Sequence, residues 1–187
     1  MRIVVGISGA SGAIYGVRIL EVLKRLGVET HLVLSGTAGE TIEYETPYSL
    51  DQVAALADKV YPVHDVAAAI SSGSFKTDGM VIAPCSIKTL AGIANSYNEN
   101  LLTRAADVTL KERRKLVLMV RETPLHLGHL RLMVAVTEMG AVVLPPMPAF
   151  YHKPQTLDDI INQSVGKALD QFGLDASLFK RWTGLNG

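Results

Sequence analysis

Several features are scarce in this chain of 187 residues, and each absence narrows the class of protein. A single cysteine, Cys85, excludes an internal disulfide framework and is typical of a reducing compartment. Lysine plus arginine equal aspartate plus glutamate at 18 each, so no charge excess indicates a nucleic-acid or membrane-surface partner. No apolar run reaches the roughly 18 residues that span a bilayer, and the opening MRIVVGISGASG has no signal-peptide cleavage pattern. We therefore expect a cytoplasmic protein with no membrane role.

The sequence does contain short β-branched runs that alternate with longer helical patterns, without a repeat, linker or low-complexity tract. The predicted strands are 2–8, 28–35, 59–63, 79–85, 116–120 and 140–146. The predicted helices are 11–26, 38–45, 50–59, 87–96, 101–113, 124–139 and 157–172. This alternation predicts one α/β domain over residues 1–187, with a parallel sheet covered by helices on both faces. The 48% hydrophobic composition also favours extensive contacts between subunits.

Polar, small or charged residues follow most of the predicted strands. Ser8 to Ser11 follow the first, Ser35 ends the second, and Cys85-Ser86 end the strand 79–85. Arg121-Glu122 directly follow the apolar run 116–120, an unusual pair within a buried strand but an ordinary one at the rim of a site. Ligands of open parallel sheets bind outside the carboxyl ends of the strands, so we expect the functional site there.

The first of these strand ends carries a glycine-rich turn, with Gly6, Gly9 and Gly12 spaced three apart. Glycine lets the backbone approach a ligand, and a following helix offers free N–H groups, so contact with a phosphate or cofactor is favoured over tight packing alone. Ser11 is alternatively the N-cap of that helix. A nicotinamide cofactor is disfavoured, because Ser35 stands where a ribose-binding acid is expected and the Tyr-x-x-x-Lys pair of short-chain reductases is missing.

Two cations in the helix 101–113 form a second candidate site. Arg104 and Lys111 are seven residues apart and should lie on one face, where they either clamp an anion or form a solvated basic surface.

Four other residues are candidates for a functional role. The tyrosine Tyr151 follows the last strand and either binds a ligand or packs on the core. His126 and His129 lack the glutamate of zinc proteases, so we interpret them as structural and predict no metal site. Cys85 should be a core residue, not a nucleophile.

Five stretches in order, GISGASGAIYG, PCSIKTL, LLTRAADVTLKERR, VRETPLHLGHL and AFYHKPQ, give the chain a strong resemblance to the flavin prenyltransferases of the UbiX type. The likeness extends from residue 2 to about residue 182. It implies a three-layer α/β/α Rossmann-like domain related to the flavin-containing cysteine decarboxylases, whose Pro-Ala-Ser-Ala-Asn-Thr motif corresponds to residues 84–89. It also implies a homododecamer with active sites where subunits meet.

The resemblance implies a metal-independent enzyme that uses reduced FMN and dimethylallyl phosphate. The dimethylallyl group would be joined to N5 and then C6 of the flavin, and the prenylated FMN would serve a UbiD-type decarboxylase, as in ubiquinone biosynthesis. Two alternatives remain open, namely an FMN-dependent decarboxylase that acts directly on an acid and a non-catalytic FMN carrier. The charged pair Arg121-Glu122 favours an enzyme over a carrier.

The resemblance also assigns residues to the two ligands. Those matching the FMN site are Gly9, Ala10, Ser11, Ser35, Ser86, Ile87, Lys88, Thr89 and Arg121. Those matching the prenyl-phosphate site are Ser11, Arg104, Lys111, Glu122, Tyr151 and Lys167. Of these, Ser11, Glu122 and Tyr151 are also expected to be catalytic, together with Glu45, which matches an acid near the reacting centre. The chain departs from the family at Lys167, which is commonly arginine, and at Gly36, where lysine is frequent.

Overall fold

The computed structural model describes residues 1–184 as a parallel sheet sandwiched between helices. The strands are β1 (Arg2–Ile7), β2 (Glu29–Leu34), β3 (Lys59–Tyr61), β4 (Gly79–Cys85), β5 (Lys115–Val120) and β6 (Val142–Val143). The helices are α1 (Ala13–Arg25), α2 (Ala38–Glu45), α3 (Leu50–Ala54), α4 (Ile87–Ala94), α5 (Leu101–Lys111), α6 (Leu127–Glu138) and α7 (Leu157–Asp170). The predicted α/β class is confirmed.

The sheet has the order β3-β2-β1-β4-β5-β6, with every neighbouring pair parallel. Successive side chains of β1 enter two separate apolar clusters, since Ile3 and Val5 pack with α1 and α7 while Val4 packs with α4 and α5. Burial on both faces explains why the central strands are continuous apolar runs without polar alternation. These two clusters define the three layers.

The order of the strands determines which edge of the sheet can hold a functional site. The chain leaves β1 toward β2 on one side and later enters β4 on the other side, so the order reverses at β1. A crevice opens at such a switch point, outside the carboxyl ends of the two strands. The turn that begins at Ser8 and the turn that begins at Ser86 therefore face each other at this edge, which we call the carboxyl edge.

Two predicted elements are much shorter in the structure. The helix predicted over 50–59 is only Leu50–Ala54, because Asp58 accepts hydrogen bonds from the backbone N and hydroxyl of Thr30 and directs the chain into β3. The last strand contains only Val142–Val143, since the prolines that follow have no N–H to extend the ladder. Within residues 1–184, no helix is long and apolar enough to cross a membrane.

The prediction that Pro124 starts the sixth helix is wrong. Helix α6 begins at Leu127, and its N-cap is His126, whose Nδ1 accepts a hydrogen bond from the backbone N of Gly128 at 3.0 Å. The bond before Pro124 is cis, and the residue lies in the connection between β5 and α6. A capping side chain thus defines the start of this helix, three residues after the predicted start.

Candidate active site

A cavity of about 840 Å³ opens at the carboxyl edge, within the range of roughly 300–1,000 Å³ that is usual for small-molecule sites. Its walls come from the turn after β1, the end of β2 and the first turn of α4, with further residues from the α4–α5 connection. Five residues that the resemblance assigns to FMN line it, namely Gly9, Ser35, Ser86, Lys88 and Thr89. One chain therefore brings together residues that are up to 80 positions apart in sequence.

Ser8 joins two of these walls. Its buried hydroxyl donates to the carbonyl oxygen of Pro84 at 2.7 Å and accepts from the backbone N of Ser86 at 2.8 Å. The backbone N of Ser8 also donates to the Pro84 carbonyl at 3.2 Å. These bonds fix the glycine-rich turn after β1 against the turn that begins α4. The sequence analysis placed Ser8 at a strand end but assigned it no role.

The first turn of α4 gives the cavity an anion-binding character. Ser86 is the N-cap, and its Oγ accepts from the backbone N of Thr89 at 3.3 Å. The N-terminus of a helix carries the positive end of the helix dipole and backbone N–H groups without intrahelical partners, which together attract phosphate. Ser35 lines the same cavity, and its buried Oγ has no hydrogen-bond partner among residues 1–184.

A smaller neighbouring pocket of about 290 Å³ collects three more of the assigned residues, Ser11, Glu45 and Arg121. The Oε2 atom of Glu45 accepts from the backbone N of Gly12 at 2.7 Å. Gly12 is the N-cap of α1 and has a positive φ of 97°, so the alternative in which Ser11 caps this helix is wrong. The carboxylate of Glu45 instead lies at the positive end of α1, a favourable position for an anion.

Arg121 and Glu122 follow β5 at the same edge. The backbone N of Arg121 donates to the carbonyl oxygen of Cys85 at 3.0 Å, which extends the pairing of β5 with β4 by one residue. Both side chains are exposed, and Oε1 of Glu122 accepts from the adjacent backbone N of Thr123 at 3.0 Å. The pair lies at the carboxyl edge, where Arg121 lines the smaller pocket and Glu122 lines neither pocket.

Arg104 and Lys111 lie on α5, outside both pockets. Arg104 pairs with Asp107 at 2.8 Å and donates from Nε to the carbonyl oxygen of Ser71 at 3.1 Å, while Lys111 pairs with Glu112 at 2.6 Å. Seven residues of helix separate the two cations by about 10 Å along the axis. Because α5 runs from the carboxyl edge toward the start of β5, Lys111 lies far from the pocket that Arg121 lines. One chain does not assemble these cations around a single anion.

Tyr151 and Lys167 are associated with α7. The hydroxyl of Tyr151 accepts from Nε2 of Gln163 at 3.3 Å, and its ring lies 6.2 Å from that of Trp182. Lys167 is half-exposed and lies 3.8 Å from Asp170 on the same helix, outside both pockets. Sequence analysis missed Gln163, although a glutamine among the buried apolar positions of α7 is the signal that could have revealed it.

Of the residues expected to be structural, Cys85 is buried and His126 caps a helix. Burial raises the pKa of the Cys85 thiol to about 12, which leaves it protonated at neutral pH and unsuited to nucleophilic attack. The rings of His126 and His129 are in contact, with centroids 3.6 Å apart and planes tilted by 33°, and His126 caps α6. Across residues 1–184 no group of three or more histidine, cysteine, aspartate or glutamate side chains is arranged to hold a metal ion.

Comparison with known proteins first defines the class and then the family. A family model described as Flavoprotein matches residues 1–168, and the peptidyl-cysteine decarboxylase EpiD, 17% identical with a TM-score of 0.61, shares the fold. The flavin prenyltransferases UbiX of Thauera aromatica and Escherichia coli K12 are more similar. The first is 71% identical over 98% of this chain and 95% of its own length, and the second is 64% identical over 98% of each. This chain belongs to the UbiX family of flavin prenyltransferases.

Solved structures agree with this assignment. A crystal structure of AnUbiX (PadA1) in complex with FMN and dimethylallyl pyrophosphate has a TM-score of 0.97 and 55% identity, over 98% of this chain and 97% of that one. A dodecameric FMN-dependent UbiX-like decarboxylase from Escherichia coli O157:H7 also has a TM-score of 0.97 and 55% identity, over 98% of this chain and all of that one. The resemblance that the five motifs indicated is therefore confirmed at the level of family and fold.

Proposed function

We infer that the protein is a flavin prenyltransferase. It joins the dimethylallyl group of dimethylallyl phosphate to N5 and C6 of reduced FMN, and the prenylated FMN is the cofactor of a UbiD-type decarboxylase. The observation that carries this function is the 840 Å³ cavity at the carboxyl edge, lined by the FMN residues of the family that this chain matches at up to 71% identity. FMN is here a substrate that leaves as product, and the reaction takes place in the cytoplasm.

The groups that line the cavity fit FMN. The N-terminus of α4 and the unpartnered Ser35 hydroxyl supply donors for the phosphate, and Gly9 allows close approach of the backbone. A side chain at Gly9 would collide with Thr37, since an added Cβ would lie 2.7 Å from the Thr37 Cβ. Arg121, in the adjoining pocket, is positioned to contact the same ligand.

The cations explain how the phosphate can leave the dimethylallyl group. Breaking the allylic C–O bond builds negative charge on the departing phosphate, and Arg104, Lys111 and Lys167 stabilise that charge. The allylic cation is stabilised by resonance and by the electron-rich ring of reduced FMN, so the reaction requires no metal. Ser11 and Tyr151 add hydrogen bonds to the phosphate. The lysine at position 167 gives a single point contact, where the arginine common in the family could bind two oxygens.

Glu122 is the acid–base group of this mechanism. After N5 is alkylated, ring closure adds a proton to the remaining double bond of the dimethylallyl group, joins its tertiary carbon to C6 and removes the C6 proton. A carboxylate at the rim of the site is a suitable acceptor for that proton. Glu122 is exposed and its Oε1 is held by the backbone N of Thr123, so the carboxylate is oriented and reaches solvent for proton exchange. Glu45, fixed at the N-terminus of α1, contributes a second negative group near the reacting centre.

The phosphate site is completed between subunits of a homododecamer. Helix α6 buries only Val136 among its 12 residues and exposes Leu127, Leu130 and Val134, an apolar surface typical of an interface. The similar protein from Escherichia coli O157:H7 is dodecameric. Contacts between subunits would bring α5 of one chain to the pockets of another, which accounts for cations that no single chain brings together.

The test combines purified protein, reduced FMN and either dimethylallyl phosphate or its pyrophosphate under strict exclusion of oxygen. We expect mass spectrometry of the extracted flavin to show one added five-carbon unit, and a UbiD-type decarboxylase to become active when the extract is added. Flavin that binds but returns unmodified would contradict prenyl transfer. Release of carbon dioxide from an aromatic acid by this protein alone would instead support the direct decarboxylase.

A further inference from the structure

Gln163 is a buried amide in a helix that otherwise faces the core with apolar or small residues. It is 6% exposed, and its neighbours on the buried side of α7 include Ile161 and Val165. Its Nε2 donates to the hydroxyl of Tyr151 at 3.3 Å. A buried amide is retained at such a position only when it is hydrogen-bonded, so its contact with Tyr151 is the structural reason for this residue.

The direction of this hydrogen bond matters for the tyrosine. An amide nitrogen only donates, whereas a phenolic hydroxyl has one hydrogen and two acceptor lone pairs. Donation from Gln163 therefore occupies a lone pair of Tyr151 and leaves its hydrogen free for another acceptor. Tyr151 as a whole is 43% exposed, and its hydroxyl donates to no acceptor among residues 1–184. The oxygens of a phosphate dianion accept hydrogen bonds and do not donate them, which makes them the matching partners.

The aromatic neighbours restrict the orientation of the ring. His152 lies edge-on to Tyr151 with centroids 5.5 Å apart, and Trp182 lies edge-on at 6.2 Å. With the ring held in this way, the amide of Gln163 selects which side of the hydroxyl oxygen carries the hydrogen. The tyrosine is thus prepared as a donor before the substrate arrives, which lowers the entropic cost of binding.

We propose that Gln163 is a positioning residue that makes the Tyr151 hydroxyl a hydrogen-bond donor to the phosphate of dimethylallyl phosphate. The proposal rests on the proposed function, which assigns Tyr151 to that phosphate. It adds a residue that does not contact substrate and that none of the five motifs contains.

The test is a double-mutant cycle between Gln163→Met and Tyr151→Phe, with binding of dimethylallyl phosphate to the FMN-loaded oligomer measured by calorimetry. Methionine keeps the length of the side chain but cannot donate. We expect Gln163→Met to weaken binding by about 3- to 10-fold, the effect of one hydrogen bond, and to leave FMN affinity unchanged. In the Tyr151→Phe background the same change should have no further effect, because there is no hydroxyl left to orient.

Two further variants keep the result interpretable. Gln163→Glu has nearly the same shape, and its carboxylate would capture the tyrosine hydrogen, so binding should weaken more than in Gln163→Met. Gln171→Met is the matched control, because Gln171 caps the same helix and its side chain makes no hydrogen bond to any of residues 1–184. This control should bind as the original protein does.

The proposal is overturned if Gln163→Met weakens binding equally in both backgrounds, if FMN affinity falls in parallel, or if Tyr151→Phe leaves phosphate binding unchanged. Unchanged phosphate binding in Tyr151→Phe would by itself overturn the proposal, and it can be measured even if both Gln163 variants fail to fold. A protein that binds dimethylallyl phosphate but forms no prenylated flavin would refute the proposed function, and the cycle would still test Gln163 through binding. A protein that binds no dimethylallyl phosphate would refute both.

Discussion

The cavity that we assign to flavin and the cations that we assign to the phosphate are built in opposite ways. The cavity is formed within one chain by turns that meet at the carboxyl edge, and the buried Ser8 holds two of its walls together. The cations Arg104, Lys111 and Lys167 lie on helix surfaces, and each pairs with an acid no more than three residues away. Such surface pairs contribute about 0–1 kcal/mol each, so a phosphate can replace the acid at little cost. Under the proposed function, this difference means that one subunit forms the flavin site, whereas the phosphate site forms only when subunits assemble.

The largest effect that separates these regions should come from Glu122→Gln. The amide keeps the size of the side chain but cannot accept the C6 proton, so we expect ring closure to slow by about 10²- to 10⁴-fold. FMN affinity should be unchanged, because Glu122 does not line the flavin cavity. The product should carry the dimethylallyl unit at N5 alone, which NMR of the extracted flavin distinguishes from the four-ring form.

Glu138→Gln provides the control for this change, since Glu138 is an exposed glutamate at the end of α6 and its side chain makes no ion pair within residues 1–184. It should cyclise the flavin at the original rate. Normal formation of the four-ring product by Glu122→Gln would remove Glu122 from the acid–base step.

A second experiment tests whether the phosphate site is shared between subunits. Arg104→Met should lower kcat by about 10²- to 10³-fold, as loss of a charge-stabilising donor does. Ser86→Asp should abolish FMN binding, because aspartate still caps α4 but repels the phosphate. Differently tagged copies of these two variants, expressed together and purified as mixed oligomers, should recover measurable activity. The recovered sites would combine an intact flavin cavity with Arg104 from a neighbouring subunit.

Arg113→Met is the matched control, because Arg113 lies just beyond α5, is exposed, and has a side chain that makes no ion pair within residues 1–184. Its activity should stay within about twofold of the original, the range of a surface change without specific contacts. Mixed oligomers without any recovered activity would show that Arg104 acts on its own chain, and the contrast between the two regions would then disappear.

The sequence predicted the flavin cavity better than the phosphate site, for a physical reason. The apolar run of β4 and the periodicity of α2 define their bounds as observed, and parallel strands necessarily bring their carboxyl ends to one edge. Helical spacing places Arg104 and Lys111 on one face but says nothing about the distance of that face from the edge. The pattern of α7 could have singled out Gln163 as a buried amide, but its contact with Tyr151 depends on tertiary packing, which no local pattern encodes.

The smallest effect is expected for Ser8→Ala. This variant tests whether the flavin cavity is formed within a single chain. Removing the hydroxyl leaves the Ser86 backbone N without its partner and should destabilise the fold by about 1–3 kcal/mol. FMN affinity should fall as well, because α4 is no longer fixed against the turn after β1. Thermal unfolding at constant protein concentration and FMN titration measure the two quantities.

Ser74→Ala, at an exposed serine, should change stability by less than about 0.5 kcal/mol and leave FMN binding intact. The decisive comparison is again with mixed oligomers. The FMN sites lost in Ser8→Ala should stay lost when wild-type subunits are added, in proportion to the variant chains present, because the Ser8 bonds lie within one chain. Recovery by neighbouring subunits would mean that the flavin cavity, like the phosphate site, is completed by assembly.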